Sequence, residues 1–305
     1  MKRKNLWEKR KTCKQQGENI YGQISMMLLD ILQKKVFTFA PNIYLLPTKR
    51  CKMILYFSGT GNSLYAARRL ADLTGDSVRP LLSLRETPLE KGEAAVGIVF
   101  PVYAWGMPRI VERVLREAAA EVAAAHYIYI VCTCGDDIGM TDVFVNNLLK
   151  PYGRRADAVF SVQMRNTYVC LPGFDVDSED TERRKTAAAH ARLEKIAVQI
   201  RARQSGLTEV VRGAVPRIKS YVLRPLFNRF LTGDRRFKTK HCVGCKHCAA
   251  VCPAHNIIPN KKGKPKWQGH CYDCLACYHA CPHHAIRYGR YTKGKGQVRV
   301  PFNGE

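Results

Sequence analysis

Residues 53–63 read MILYFSGTGNS. Five apolar residues, 53–57, run straight into hydroxyls and glycines, and the pattern then changes, with Leu64, Ala67, Leu70 and Ala71 at helical spacing before Gly75. An unbroken apolar run bounded by Ser-Gly turn residues reads as a buried strand, and strand, tight turn and helix in that order begin a βαβ unit. The turn, 58–63, offers three hydroxyls, two glycines that let a ligand approach the backbone, and amides at a helix N-terminus, a set suited to a phosphate. It lacks the Gly-Lys-Ser/Thr ending of a nucleotide P-loop and is not a G-x-G-x-x-G fingerprint, so a phosphomonoester held without Mg²⁺ fits it better than ATP or NAD.

Working outward, apolar runs at 78–82, 95–100, 127–131 and 158–162 alternate with helical patterns at 107–120, 141–149 and 179–203. The alternation predicts an α/β domain of about five parallel strands in an open, doubly wound sheet. Ligands of such sheets sit outside the carboxyl ends of the strands. Two more post-strand loops are therefore candidates. One holds Pro101, Tyr103, Trp105 and Gly106, aromatics able to stack on a flat ring. The other holds Thr133, Cys134, Gly135 and Asp136, whose backbone groups suit the polar edge of such a ring.

Together these loops resemble flavodoxin. The resemblance covers about residues 53–204 and implies that Ser58, Thr60, Gly61, Asn62 and Ser63 bind the phosphate of FMN. It also implies that Trp105 or Tyr103 stacks on the isoalloxazine, beside Pro101 and Gly106, with Thr133, Gly135 and Asp136 along its edge. No tyrosine follows Gly135-Asp136, where flavodoxins often stack a second aromatic, so one flavin face is expected to be open to a partner.

Near the C-terminus, Cys242, Cys245, Cys248 and Cys252-Pro253 are followed by Cys271, Cys274, Cys277 and Cys281-Pro282. Both runs read C-x-x-C-x-x-C-x-x-x-C-P and repeat at an offset of 29 residues, with His255/His284 and Ile257/Ile286 also matching. This is an internal duplication with the spacing of the bacterial two-cluster ferredoxin, in which the fourth cysteine of each run serves the other cluster. One 4Fe-4S cluster is then expected on Cys242, Cys245, Cys248 and Cys281, and a second on Cys271, Cys274, Cys277 and Cys252. Ile257 and Ile286 are expected to pack toward them. Zinc is the competing reading, because seven of the nine histidines lie in this third and CxxC suits tetrahedral zinc. Two copies of the full spacing favour iron-sulfur, with the histidines at the surface.

The whole layout resembles the flavodoxin-ferredoxin fusion proteins of anaerobic bacteria: a flavodoxin-like doubly wound parallel sheet followed by an α+β two-cluster ferredoxin domain. The expected division is a basic N-terminal extension at 1–52, the FMN domain at 53–204, a connector at 205–240, the ferredoxin domain at 241–290 and a basic tail at 291–305. In the connector, Ile218, Val222, Leu226 and Phe230 at four-residue spacing predict a packed helix, broken or kinked at Pro225. Residues 1–52 contain no site constellation and read as a basic arm or as upstream sequence foreign to the native protein.

With 305 residues, 46% hydrophobic and 25% charged, the chain is long enough for two globular domains and unlike a disordered or collagenous one. Its formal charge of +25 is uneven. Basic and acidic side chains number 12 and 3 before residue 53, 19 and 18 to residue 204, and 19 and 4 thereafter. The basic C-terminal third offsets the negative charge of oxidised clusters and suits a redox partner protein with an acidic docking surface. No nucleic-acid motif accompanies the lysines, and nucleic acid is not an expected partner. Neither a membrane span nor a secretory signal is expected, and a cytoplasmic location is the default.

The expected function is electron transfer between two 4Fe-4S clusters and FMN, the alternative being an FMN-dependent reductase of a small acceptor fed by its own ferredoxin domain. Protein purified without oxygen should hold about eight iron and as many acid-labile sulfides per chain. Stoichiometric zinc without sulfide would contradict the cysteine reading.

Overall fold

The computed structural model describes residues 52–90 and 93–298. The expectations for the extension before residue 52, and for the end of the basic tail, lie outside the described residues. Six parallel strands, β1 (Lys52–Tyr56), β2 (Ser77–Pro80), β3 (Ala95–Pro101), β4 (Ile128–Cys134), β5 (Ala158–Gln163) and β6 (Leu207–Glu209), form one sheet in the order β2-β1-β3-β4-β5-β6. The order 2-1-3-4-5 is that of the flavodoxin-like fold. The sixth strand is beyond the expected five: it has three residues, too few for a periodic signal, and pairs with β5 from within the segment read as connector.

β3 and β4 are buried along nearly their whole length, as strands covered on both faces must be. One face packs α1 (Asn62–Thr74) and α5 (Glu179–Arg201) through Ala66, Leu70, Leu193 and Ile196. The other packs α2 (Arg109–Glu117), α3 (Ala119–Ala123) and α4 (Thr141–Leu149) through Ile110, Val114, Val122 and Val145. The single helix expected over 107–120 is thus two, meeting at Ala118.

The connector rises through α6 (Pro216–Ile218), a π-turn over Lys219–Leu223 and α7 (Arg224–Phe230). Pro225 lies in the first turn of α7, where its missing N–H costs least, and the wider π-turn before it takes up the expected break. The predicted packing stripe is corrected. Ile218, Val222, Leu226 and Phe230 are exposed, and the helix packs inward instead through Ser220, Arg224 and Phe227. Polar anchors on the inner face outcompete the apolar periodicity.

The C-terminal lobe contains β7 (Phe237–Thr239), α8 (His247–Ala250), β8 (Ile257–Pro259), β9 (Pro265–Trp267), α9 (Ala276–His279) and β10 (Ile286–Tyr288). β7 pairs antiparallel with β10, and β8 with β9, giving a small ferredoxin-like lobe. The 29-residue repeat is visible in the backbone. Lys246 and Leu275 precede α8 and α9 with φ of 63° and 58°, and His255 and His284 both have φ of 49°.

Gly97 in β3 packs directly against the ring of Tyr129. A Cβ there would lie 2.2 Å from the ring of Tyr129, which is fully buried and donates its hydroxyl to Asp76. Gly97→Ala should therefore destabilise the chain by about 1–3 kcal/mol through overpacking, read as a lower denaturation midpoint with unchanged slope.

Candidate functional site

The carboxyl ends of β1, β3, β4 and β5 open into one cavity of about 660 Å³. At its floor is the 58–63 turn. Gly61 has φ of 99°, in the left-handed region, and caps α1 without a side-chain hydrogen bond, so the first-turn amides of α1 have no side-chain acceptor of the usual capping kind. Its own N–H donates to Ser58 Oγ over 3.1 Å. Ser63 Oγ and Thr133 Oγ1 share a hydrogen bond of 2.8 Å, tying the first loop to the third. Hydroxyls, close-approach glycine and uncapped amides make a donor set that fits a phosphate.

The second loop is held in an unusual backbone. Tyr103 and Gly106 exchange N–H to C=O hydrogen bonds of 2.9 and 3.2 Å around Ala104 and Trp105, whose φ values of 45° and 58° are left-handed. Two consecutive positive φ angles fit a primed hairpin turn, with strain of order 1–3 kcal/mol for a non-glycine residue. The surroundings hold it. Ser220 Oγ donates to Trp105 O (2.8 Å) and accepts from Met140 N–H (2.8 Å), and Lys219 Nζ lies 5.6 Å from the Trp105 ring while pairing with Asp137 at 2.6 Å. Arg224 packs against Gly106 and donates to Met107 O over 2.9 Å.

Of the residues assigned to FMN, Ser58, Thr60, Asn62, Ser63, Pro101, Tyr103, Trp105, Thr133, Gly135 and Asp136 line this cavity together. Gly61 and Gly106 are not on its wall: each is buried and shapes the turn behind it.

The cysteines assigned to the first cluster gather in the C-terminal lobe. Cys242, Cys245, Cys248 and Cys281 line one small space with Ile286 and Pro282. Burial pushes the Cys248 thiol up to about 11, with Cys281, Cys242 and Cys245 adding to the rise. Burial pushes the Cys277 thiol well above the ordinary range, with Cys274, Cys271, Cys252 and Cys248 adding to the rise. Crowded thiols with raised pKa values give up their protons only to a cation that takes the protons' place, a donor set that fits iron. The N–H of Asn256 points to Cys252 Sγ over 3.4 Å, and its repeat mate Ala285 to Cys281 Sγ over 3.3 Å, contacts of the kind that set cluster potentials. Among the described residues, no three His, Cys, Asp or Glu side chains close on a single metal ion.

Ile257 and Ile286 are buried with these cysteines in one apolar cluster. The surface placement of the histidines is corrected at His279, which is 6% exposed. Its Nε2–H donates to Thr167 O (2.8 Å) and its Nδ1 accepts from Val298 N–H (3.0 Å). Burial, the leading cause, holds its pKa down at about 4, so the ring is a neutral bridge.

The two lobes meet at this cavity. Its wall includes Cys271, Tyr272, Asp273, Cys274 and Leu275 of the C-terminal lobe. A Cβ on Gly59 would lie 2.5 Å from Cys274 O and 2.6 Å from Cys274 Cβ. Tyr272 packs edge-on against Phe57, with ring centroids 6.2 Å apart. Tyr103, half-buried near Cys274, Asp273 and Cys271, has its phenol pushed well above the ordinary range by desolvation first and these neighbours second. It stays neutral.

Sequence reasoning missed the loop after β5. Asn62 Nδ2 donates to Arg165 O (3.0 Å), Thr60 Oγ1 donates to Thr167 Oγ1 (3.2 Å), and Tyr168 packs on Phe174 and Phe227 over the cavity. Its only sequence signal was its position after a strand.

Residues 241–286 match the family model of the 4Fe-4S dicluster domain. The chain is similar in fold search to a flavodoxin of Streptococcus pneumoniae TIGR4 (16% identity, 50% of this chain and 98% of that one, TM-score 0.31). It is also similar to rubredoxin oxygen:oxidoreductase of Desulfovibrio gigas (18%, 49% and 37%, 0.31) and to a flavone reductase (15%, 74% and 85%, 0.30). Likenesses at these TM-scores carry no weight; the strand order carries the fold. No curated protein matches the chain. No helix among the described residues is long and apolar enough to cross a membrane.

Gly61→Val would place a β-branched residue at φ 99° and distort the turn that presents the α1 amides to the cavity. Flavin content should fall by on the order of tenfold, equivalent to about 1.4 kcal/mol of binding, while iron and sulfide stay constant. Undiminished flavin would remove this loop from the site.

Proposed function

We infer that the chain is an electron-transfer protein in which FMN, held by the three sheet-edge loops, exchanges electrons with two 4Fe-4S clusters held by the eight paired cysteines. FMN supplies a carrier of one or two electrons, and the clusters move them singly. The observation that carries the reading is the approach of Gly59 to Cys274: a residue of the phosphate turn lies against the backbone of an assigned cluster ligand.

The chain's own residues do three things in this reading. Ser58, Thr60, Asn62, Ser63 and the α1 amides hold the phosphate. Tyr103 and Trp105 flank the ring, their loop fixed by Ser220 and Arg224. Tyr272, Leu275 and Phe227 exclude water from the space between the flavin and the ligands Cys271 and Cys274. Electrons then pass within one molecule, and an external donor or acceptor meets the basic surface of the C-terminal third.

Gly59→Val tests the contact from the side of the phosphate turn, by pressing on the assigned cluster ligand Cys274. The added side chain forces Cys274 away, since the atoms it meets are backbone and Cβ. Among molecules of the variant that hold flavin, iron and sulfide in full, flavin reduction after the clusters are reduced should slow by on the order of tenfold, about 1.4 kcal/mol of barrier. An unchanged rate in a fully loaded variant would contradict transfer across this seam.

A further inference from the structure

The outward face of the connector helix carries a row of exposed apolar side chains. Ile218, Val222 and Leu226 are each 52% exposed and Phe230 63%, and Val215 extends the stripe by another turn. A monomer seldom leaves so many large apolar side chains contiguous in water. The inner face of the same helix is fully engaged by Ser220, Arg224 and Phe227, so the helix cannot roll to hide the stripe.

Charge says what covers it. Between residues 210 and 240 the chain carries nine Lys or Arg, of which Arg212, Lys219 and Arg224 pair with Asp142, Asp137 and Glu112, and one acid, Asp234, which is buried and bonded to Asn256 and Gly269. Arg217 and Arg229, next in sequence to Ile218 and Phe230, are exposed, and Arg229 lies 5.9 Å from the exposed Phe230 ring. Apolar side chains flanked by cations, with no exposed carboxylate among them, complement a surface that is anionic outside and hydrocarbon beneath. A second copy of the chain would bring the same cations face to face. We propose that the connector helix docks the protein on an anionic phospholipid surface, lying in the interface with Ile218, Val222, Leu226 and Phe230 inserted and Arg217 and Arg229 at the phosphates.

The mode is peripheral, needs no spanning helix, and is independent of which cofactors the site holds. It would set the cavity wall formed by Phe227, Asn228 and Leu231 just behind the lipid surface.

Flotation of the full-length, cofactor-loaded protein with vesicles tests it. Vesicles containing phosphatidylglycerol should carry the protein up and pure phosphatidylcholine vesicles should not, with binding weakened by salt. Val222→Asp/Leu226→Asp should lower the bound fraction about tenfold, as should the gentler Leu226→Ser/Phe230→Ser, with visible spectrum and elution volume unchanged. Absence of binding to anionic vesicles overturns the proposal. So does equal binding by both variants, which would move the contact to another basic segment, and so does a dimer that both variants dissociate, which would make a second copy the occupant.

Discussion

Gly59 and Cys274 approach so closely that no side chain fits between them, and much of the molecule follows from that contact. A Cβ at 2.5 Å from a carbonyl oxygen is not tolerated, so the phosphate turn must carry glycine there for reasons of lobe packing as well as of ligand approach. The same contact brings Tyr272 onto Phe57 and packs Tyr103, Tyr272 and Cys274, each half-buried, against the apolar core of the sheet. The two lobes therefore share a core, and the cavity between them is an interior feature of one body spanning the sheet and the cysteine lobe.

A shared core alone would not fix the loops that face it. The connector supplies one clamp through Ser220, Lys219 and Arg224, which together hold the strained 103–106 turn and the loop after β4. The loop after β5 supplies another, running from Thr60 to Thr167 and on through His279 to Val298. Lys295 adds to it by donating to Val169 O and Leu171 O. Part of the tail predicted only as basic is thus a strap across both lobes. The fold places its strain at Ala104 and Trp105 and surrounds it with enough contacts to keep it there.

The short-range parts of this design were legible in the sequence. An apolar pentad before SGTGNS, and eight cysteines at a repeated spacing, are local patterns whose physics is complete within a few residues. The flavodoxin-like sheet, its helix alternation and the ferredoxin-like lobe followed from them. What stayed hidden is set by distant partners. The stripe Ile218, Val222, Leu226 and Phe230 has the periodicity of a packed face, yet Ser220 and Arg224 turn it to solvent because their partners lie a hundred residues away. His279 looked like its six surface neighbours, and only Thr167 and Val298 distinguish it. β6, three residues long, carries no periodicity at all.

The central claim is that flavin and clusters communicate inside a single chain through the Gly59–Cys274 seam. The most direct test is a dilution series of the intact, loaded protein, with the clusters reduced rapidly and flavin bleaching followed in time. Tethering holds the partners at an effective concentration of order mM, so the account predicts one first-order rate constant at every protein concentration. A rate that rises in proportion to concentration would mean that electrons pass between molecules, and would contradict it.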